Sequence, residues 1–518
     1  MRVRSGRIVL AGAFLFLLLT AAGPAASAES DIYIHVAEAL FAPLAGGRPV
    51  SFRQKPSVQR TAGKVTTVCR DLAVPLGNTG AVLAIQSLRL EFDEEQAGEV
   101  PFKAVLPSRI QLRLTDRAAI ALTMTHPVLA GILDPVSGRV IKAEFAAEHL
   151  TGEIGGRALE AGSLRYGFGL EPGKEGVIEE TLRYGFDDLK LGAAVTVEQG
   201  RYAVTSVFET AEAFDQGQAV EPAEAAEGGL KLSGLRLRIL ESVLPAVIES
   251  LQLGFSLETA ADGEGQDFNA EIGFTGAKFE AARLTAETGK LHLGLGAARA
   301  DKIRALLAGA AAGSALFENA AMDLLAEHLT VAGAKMERAH LTFSVKDLEE
   351  AGASARFSYR ASGLRMTEAV PPVGAATELA IEDLPSSLFR AGYAGEALLP
   401  LLDKAGTSIA VKEFSVEAGP GQLALTGKLN PDADVSFGAT GQLDGWVRGY
   451  DELAASILPL APPANKAGWQ RAAALFKSLG GNAPKMNYAV RIEPSGNGSV
   501  NGKDLDAILS RIMEWPRQ

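Results

Sequence analysis

Alternation of apolar and polar residues with a period of two runs through most of this chain and constrains its fold more than any other feature. The alternation starts near Lys64 and recurs in segments such as Leu88–Phe92 and Ile110–Leu114. This pattern is typical of strands with one buried face, and turn residues such as Gly77-Asn78 separate the segments. Hydrophobic residues make up 47% of the chain but aromatic residues only 6%, which suits sheets of small aliphatic side chains. We therefore predict a mostly β, α+β fold of extended, curved antiparallel sheets with helices packed at intervals.

The clearest building unit lies between Thr407 and Leu460. Its sequence predicts a strand, a Gly419-Pro420-Gly421 turn, two further strands and a helix. Leu423 and Leu425 alternate with Gln and Ala and are expected to face the core. Asp451 is expected to cap the helix. Looser versions of this strand–turn–strand–helix unit recur upstream.

Apolar residues at helical spacing predict several short helices between the strands. The predicted segments are 31–44, a short helical crossing at 126–133, 240–251, a helix beginning near 301, 388–402, 466–479 and a last helix beginning at 504. Each is shorter than the about 20 apolar residues that a membrane-spanning helix needs.

The composition changes at two points that mark boundaries in the chain. Residues 213–229 are acidic, rich in Ala, Glu and Pro, and without periodicity, which is typical of a solvated loop or linker. The Pro371-Pro372 pair marks the second boundary. We predict a leader, an amino-terminal β-rich domain, an acidic linker or loop, a middle α+β domain and a carboxy-terminal α+β module, at 1–28, 29–212, 213–229, 230–370 and 371–518.

The amino terminus has the three parts of a secretory signal peptide. Arg2, Arg4 and Arg7 are positive, an apolar run follows from Ile8 to Ala22, and Ala26-Ser27-Ala28 is a small-x-small cleavage site. Ala26 and Ala28 are thus the predicted cleavage-site residues. The alternative is a retained anchor helix, but the apolar run is short for a membrane span. We expect a periplasmic protein whose mature chain has no stable transmembrane segment.

The charge and the cysteine content limit the classes of partner. The formal net charge is −12, which argues against nucleic-acid binding through phosphate neutralisation and against attraction to anionic lipid by net charge. Cys69 is the single cysteine, so no internal disulfide forms. Its surroundings favour a small buried strand residue over a nucleophile.

Searches for the residue patterns of catalytic, cofactor and metal sites find none. The six histidines include no pair at metal-ligand helical spacing, and no G-x-S-x-G elbow is present. Gly294-Leu295-Gly296 has Arg299 at the third glycine position, so it does not match a dinucleotide-binding loop. Carboxylates such as Asp93 and Asp187-Asp188 are interpreted as surface charges, although a glycosidase pair needs only two of them. We predict a non-enzyme with no cofactor.

A short internal echo joins two neighbouring segments. Leu164–Phe168 reads LRYGF, and the same five letters return at Leu182–Phe186, 18 residues later. One interpretation is two adjacent strands with similar faces, and the other is a paired Arg-Tyr binding ledge. The first is favoured.

Gly421–Leu429, Gly438–Gly445 and Tyr450–Leu453 together follow a pattern of the form GxLxLxGxL…G…xDxL. This stretch resembles the repeating units of AsmA-like envelope proteins. It resembles still more an uncharacterised proteobacterial family of exported, β-rich proteins of unknown function. AsmA-like proteins usually keep an amino-terminal membrane helix, whereas this leader has a cleavage site. The resemblance implies an envelope location and no catalytic residues.

Three hypotheses of function follow. The first is a non-enzymatic envelope protein that holds a lipid or another apolar ligand along a groove of the sheet. The second is a structural or protein-interaction protein of the envelope without a small ligand, whose partner is another envelope protein. The third and most remote is a carboxylate-based hydrolase. An apolar groove larger than the few hundred Å² usual on a monomer would separate the first two.

Overall fold

The structure is a computed structural model, and it describes most of the chain between residues 32 and 513. The described residues are 32–45, 48–61, 63–76, 81–93, 98–113, 119–136, 139–154, 156–172, 177–208, 225–237, 246–259, 266–279, 283–298, 318–348, 352–365, 371–389, 398–458, 466–481 and 483–513. The leader with Ala26 and Ala28, and the helix predicted from Asp301, lie outside them.

Strands dominate the described residues, which hold 24 strands and five α-helices. Every strand pairing among the described residues is antiparallel. The prediction of a mostly β, antiparallel α+β fold is therefore confirmed. The chain forms two compact units that divide between Glu258 and Thr259, inside the predicted middle domain 230–370.

The first unit contains helix α1 (Ile32–Ala45) and strands β1 to β12. The strands are β1 Ser51–Thr61, β2 Lys64–Pro75, β3 Val82–Asp93, β4 Val100–Val105, β5 Arg109–Arg113, β6 Ala119–Asp134, β7 Arg139–Ile154, β8 Arg157–Pro172, β9 Ile178–Leu191, β10 Val195–Phe208, β11 Ala225–Leu237 and β12 Ala246–Thr259. Strands β1, β2 and β3 pair in sequence, and the short strands β4 and β5 both bridge β3 and β6. From β6 to β12 each strand pairs with the next.

The largest core cluster lies between α1 and one face of this sheet. Val36 and Leu40 of α1 belong to the same buried cluster as Leu90 and Phe92 of β3. Cys69 of β2 is buried in the same cluster, as predicted. The helix predicted over 31–44 is therefore confirmed, and it covers the strands that begin the unit.

The long strands of the first unit change phase at one point along their length. In β9 the inward residues are even-numbered up to Phe186 and odd-numbered from Leu189, and Asp188 between them has a φ of 51°. In β11 the same change occurs at Gly234, whose φ is 61°. The pairing register on both sides is unchanged. The left-handed residue thus lets the apolar side chains before and after it lie on the same face, although the inward positions change from even to odd numbers.

The described residues of the second unit form strands β13 to β24 and four α-helices. The strands are β13 Gln266–Phe279, β14 Leu284–Ala298, β15 Asn319–Val331, β16 Ala334–Lys346, β17 Ala353–Leu364, β18 Val373–Leu384, β19 Ser408–Ala418, β20 Gly421–Pro431, β21 Ala439–Arg448, β22 Lys485–Ile492, β23 Gly498–Val500 and β24 Lys503–Asp504. Each pairs with the next in the chain, which makes a simple meander.

The helices among the described residues of the second unit follow strand β18. They are a short 3₁₀-helix Ser386–Phe389, α2 Leu398–Lys404, α3 Tyr450–Ile457, α4 Lys466–Gly480 and α5 Leu505–Met513. Asp504 caps α5, because its carboxylate accepts hydrogen bonds from the backbone N–H groups of Asp506 (2.8 Å) and Ala507 (3.3 Å). The last two predicted helices are confirmed.

The carboxy-terminal building unit has the predicted order of strand, turn, strand, strand and helix. Its cap is different, because α3 begins after Gly449 and Asp451 lies inside the first turn. The Asp451 carboxylate accepts instead a 2.6 Å hydrogen bond from Nζ of Lys477 in α4. The prediction of Asp451 as the cap is wrong.

The predicted helical crossing at His126–Leu133 is also wrong, since these residues belong to β6. His126 has a φ of 46°, and the register with β7 shifts between Thr125 and Val128. Pro127 therefore sits at a bulge, where its missing N–H leaves no gap in the ladder.

The helix predicted at 240–251 is wrong from Ala246 onwards, where β12 begins. Ile248 and Leu251 lie in one apolar cluster because the alternation changes phase at Glu249 between them. A strand with such a shift places apolar residues three apart, and this spacing imitates a helix.

The predicted linker 213–229 overlaps β11 in its last five residues, so the prediction is wrong for 225–229. Gly228 explains why a strand forms there. A Cβ on Gly228 would lie 2.8 Å from both the Ala203 carbonyl oxygen and Cζ of Phe255. Its missing side chain lets the Phe255 ring and the neighbouring backbone approach. Residues 213–224 lie outside the described part.

Candidate functional site

Apolar side chains of the second unit line up in rows across its sheet, because one residue from each strand pairs with one from the next. Two central rows are defined here as the open apolar face. The first row contains Ala270, Leu293, Met322, Phe343, Phe357, Leu379 and Val411. The second row contains Ile272, Leu291, Leu324, Leu341, Tyr359, Thr377, Phe414 and Leu425.

The side chains of the open apolar face are only half-buried or exposed. Leu324 retains 38% of its accessible surface and Phe414 retains 36%. The other members of both rows, Leu293 and Leu341 among them, are half-buried. At about 4.8 Å between neighbouring strands, these rows run for roughly 30 Å across strands β13 to β19. A continuous apolar strip of this length is unusual on a protein surface.

The opposite face of the same strands is polar and carries ion pairs. Nζ of Lys290 lies 2.8 Å from a carboxylate oxygen of Glu271 on the neighbouring strand. Nε2 of His340 lies 2.9 Å from Oδ1 of Asp323. The two faces therefore differ sharply, and the polar one is suited to water.

Helical segments cover the ends of the strands on the apolar side. Leu402 of α2 packs against the buried cluster that contains Val345, next to one end of the open apolar face. Leu453 of α3 packs with Val447 and Leu423 at the other end. The two central rows lie between these covered ends, so their exposure is not a result of fraying at strand termini.

The LRYGF echo of the first unit proves to be two neighbouring strands, as the favoured interpretation has it. Tyr166 of β8 and Tyr184 of β9 lie directly opposite each other in the ladder. Tyr202 of β10 is the next residue in the same row. The sequence pattern of LRYGF did not reveal Tyr202 as a member of this row. The dipeptide Arg-Tyr nevertheless recurs a third time, at Arg201-Tyr202, with the same 18-residue spacing.

The residues weighed for chemistry are dispersed or engaged in the fold. Asp187 accepts hydrogen bonds from Oγ of Ser163 (2.6 Å) and Nε2 of Gln199 (3.1 Å), which lower the pKa of its carboxyl group. Burial, and secondarily the charge of Glu38, raises the pKa of the Cys69 thiol to about 11. A thiol with such a pKa is a poor nucleophile. In the described part of the chain, no three His, Cys, Asp or Glu side chains are grouped so that they could hold a metal ion.

Within the described ranges, no helix is long and apolar enough to cross a membrane. Comparison of the chain with protein-family models, with curated proteins and with solved structures finds no match.

Proposed function

We propose that this protein is a non-enzymatic, exported envelope protein that holds a lipid or another apolar ligand on the open apolar face. The observation that carries the proposal is the half-exposed central pair of rows, whose ends are covered and whose reverse side is polar. The resemblance of Gly421–Leu453 to AsmA-like envelope proteins supports the same assignment. The alternative is an envelope protein that binds another protein there.

The energetics suit an alkyl chain that lies along a row. Each methylene group that leaves water completely contributes about 0.8 kcal/mol. About ten methylene groups that lose half of their exposure would contribute about 4 kcal/mol. The first row includes Met322, whose unbranched and flexible side chain adapts to the shape of an alkyl chain. A carrier needs this moderate strength, because it must also release its ligand.

Leu324→Asp and Phe414→Asp are expected to remove bound lipid while leaving the fold intact. Both side chains are partly exposed, so a carboxylate there remains hydrated but repels an alkyl chain. We expect binding of a fluorescent long-chain fatty acid to weaken by about tenfold or more in each variant. Native mass spectrometry of the purified protein should show the same loss of lipid.

Leu325→Asp is the matched control, because Leu325 is the next residue of β15 and points to the polar face, opposite His340. It should bind the fatty acid as the wild type does. If the wild type binds no fatty acid and carries no lipid, the carrier proposal fails and the protein-interaction alternative stands. If all three variants bind the fatty acid as tightly as the wild type does, the ligand does not lie on the open apolar face.

Export is the second part of the proposal, and cleavage after Ala28 is its expected result. Sequencing the amino terminus of the protein from the envelope fraction should begin at Glu29. Ala26→Arg should block processing, because the cleavage site requires small residues. A chain that begins at Met1 and stays embedded in the membrane would contradict the export proposal.

A further inference from the structure

Three tyrosines form a ladder on the inward face of the first unit. Tyr166, Tyr184 and Tyr202 lie in one row on the adjacent strands β8, β9 and β10. The ring centroids of Tyr166 and Tyr184 are 5.0 Å apart, and those of Tyr184 and Tyr202 are 6.1 Å apart. Tyr166 and Tyr184 are half-buried, whereas Tyr202 is buried with only 8% of its surface exposed. The ladder places three phenol groups side by side on an apolar face.

A buried carboxylate, that of Glu180, lies on the same face. Glu180 is on β9 with Tyr184, two inward positions away, and its row neighbours are Leu170 and Ser206. Only 4% of its surface is exposed, and its Oε1 atom has no hydrogen-bond partner. No Lys, Arg or His among the described residues forms an ion pair with it.

The pKa values of Glu180 and the neighbouring tyrosines are raised by their burial. Burial raises the pKa of the Glu180 carboxyl group to about 7. Burial, with the added charge of Glu180, also raises the pKa of the Tyr166 and Tyr184 hydroxyl groups. The phenols therefore stay protonated and lie within electrostatic range of the carboxylate. A buried carboxylate without a donor is costly, and natural proteins usually satisfy such a group.

We propose that Glu180 and the tyrosine ladder bind the primary ammonium group of an amphiphile, whose alkyl chain lies over the adjacent apolar residues. An ammonium group brings the charge and the N–H donors that Oε1 lacks. The tyrosine rings add π faces, which attract cations. Leu170, which pairs with Glu180, and Ile178, two residues before Glu180 on β9, are half-buried and supply the surface for the alkyl chain. This site belongs to the first unit and does not depend on the open apolar face of the second.

Decylammonium and decanol, added to the full chain below their aggregation concentrations, test the proposal by isothermal titration calorimetry. At pH 8 the wild type should bind decylammonium more tightly than decanol. Glu180→Gln should weaken decylammonium binding by about tenfold or more and leave decanol binding unchanged. Glu179→Gln is the matched control, because Glu179 is the preceding residue of β9 and is exposed on the other face.

Binding of decylammonium to the wild type should strengthen between pH 6 and pH 8, as the Glu180 carboxyl group ionises, and this change should be absent in Glu180→Gln. Decyltrimethylammonium, which has no N–H donor, should bind more weakly than decylammonium. Equal decylammonium affinity in the wild type and Glu180→Gln would overturn the proposal. Leu324→Asp should leave the difference between those two proteins intact, so failure of the lipid-carrier proposal would be seen separately.

Discussion

Replacing Phe92 by alanine is expected to lower the free energy of unfolding of the first unit by about 3–5 kcal/mol. Only 1% of Phe92 is exposed, and its ring centroid lies 4.9 Å from that of Tyr33 in α1 and 5.9 Å from that of Phe102 in β4. The side chain therefore joins the helix, β3 and β4. Its removal would leave a cavity that none of these elements can close alone.

Chemical denaturation followed by circular dichroism measures this effect. Glu91→Ala is the control on the same strand, since the Glu91 side chain is exposed and its ion pair with Arg89 (3.0 Å) lies at the surface. We expect that change to cost at most about 1 kcal/mol. A loss below about 1 kcal/mol for Phe92→Ala would mean that α1 does not pack on β3 as described.

Strands were predictable here because their alternation is long and their turns carry recognisable residues. The failures occur where the alternation changes phase, as at Glu249 in β12. On the neighbouring strand β11, the residue between the partners of Ile248 and Ser250 is Gly234, which has the left-handed conformation. The pairing of β11 with β12 is not visible in the local pattern, so the three-residue spacing of Ile248 and Leu251 imitates a helix.

Whether an apolar face is covered was not predictable from its alternation. Leu423 and Leu425 were both expected to face a core, and they do lie on the apolar side of β20. Leu423 packs in the cluster with Leu453 of α3, whereas Leu425 is half-buried in the open apolar face. Alternation indicates only which side chains share a face. What lies over that face depends on distant helices and on ligands.

The tyrosine ladder was partly visible in the sequence, but its carboxylate was not. Tyr166 and Tyr184 were noticed through the LRYGF echo, and Tyr202 could have been found from the same 18-residue spacing. Glu180 follows Glu179 in a segment rich in acids, where one glutamate resembles the next. Only the direction of each side chain in the pleated strand separates the buried acid from the exposed one.

Glu180→Gln is expected to remove a pH-dependent destabilisation of the folded chain. Folding raises the pKa of the Glu180 carboxyl group from 4.5 to about 7, so the native state binds a proton more tightly than the unfolded state. Stability therefore falls as the pH rises from about 4.5 through 7. A difference of about 2.5 units corresponds to about 3 kcal/mol, lost almost completely by pH 8.

The measurement is the free energy of unfolding of the wild type and of Glu180→Gln at pH 5 and pH 8. Other acids titrate in both proteins, so the difference between the two isolates Glu180. The wild type should lose about 2.5 kcal/mol more than the variant over this interval, because a glutamine carries no charge to bury. Glu179→Gln should follow the wild type. Parallel pH profiles in all three proteins would show that Glu180 is hydrated or paired in solution, and they would remove the basis for an ammonium site as well. Decylammonium is also added to the wild type in the same measurement. If it raises the free energy of unfolding at pH 8 but not at pH 5, the buried charge is linked directly to its ligand.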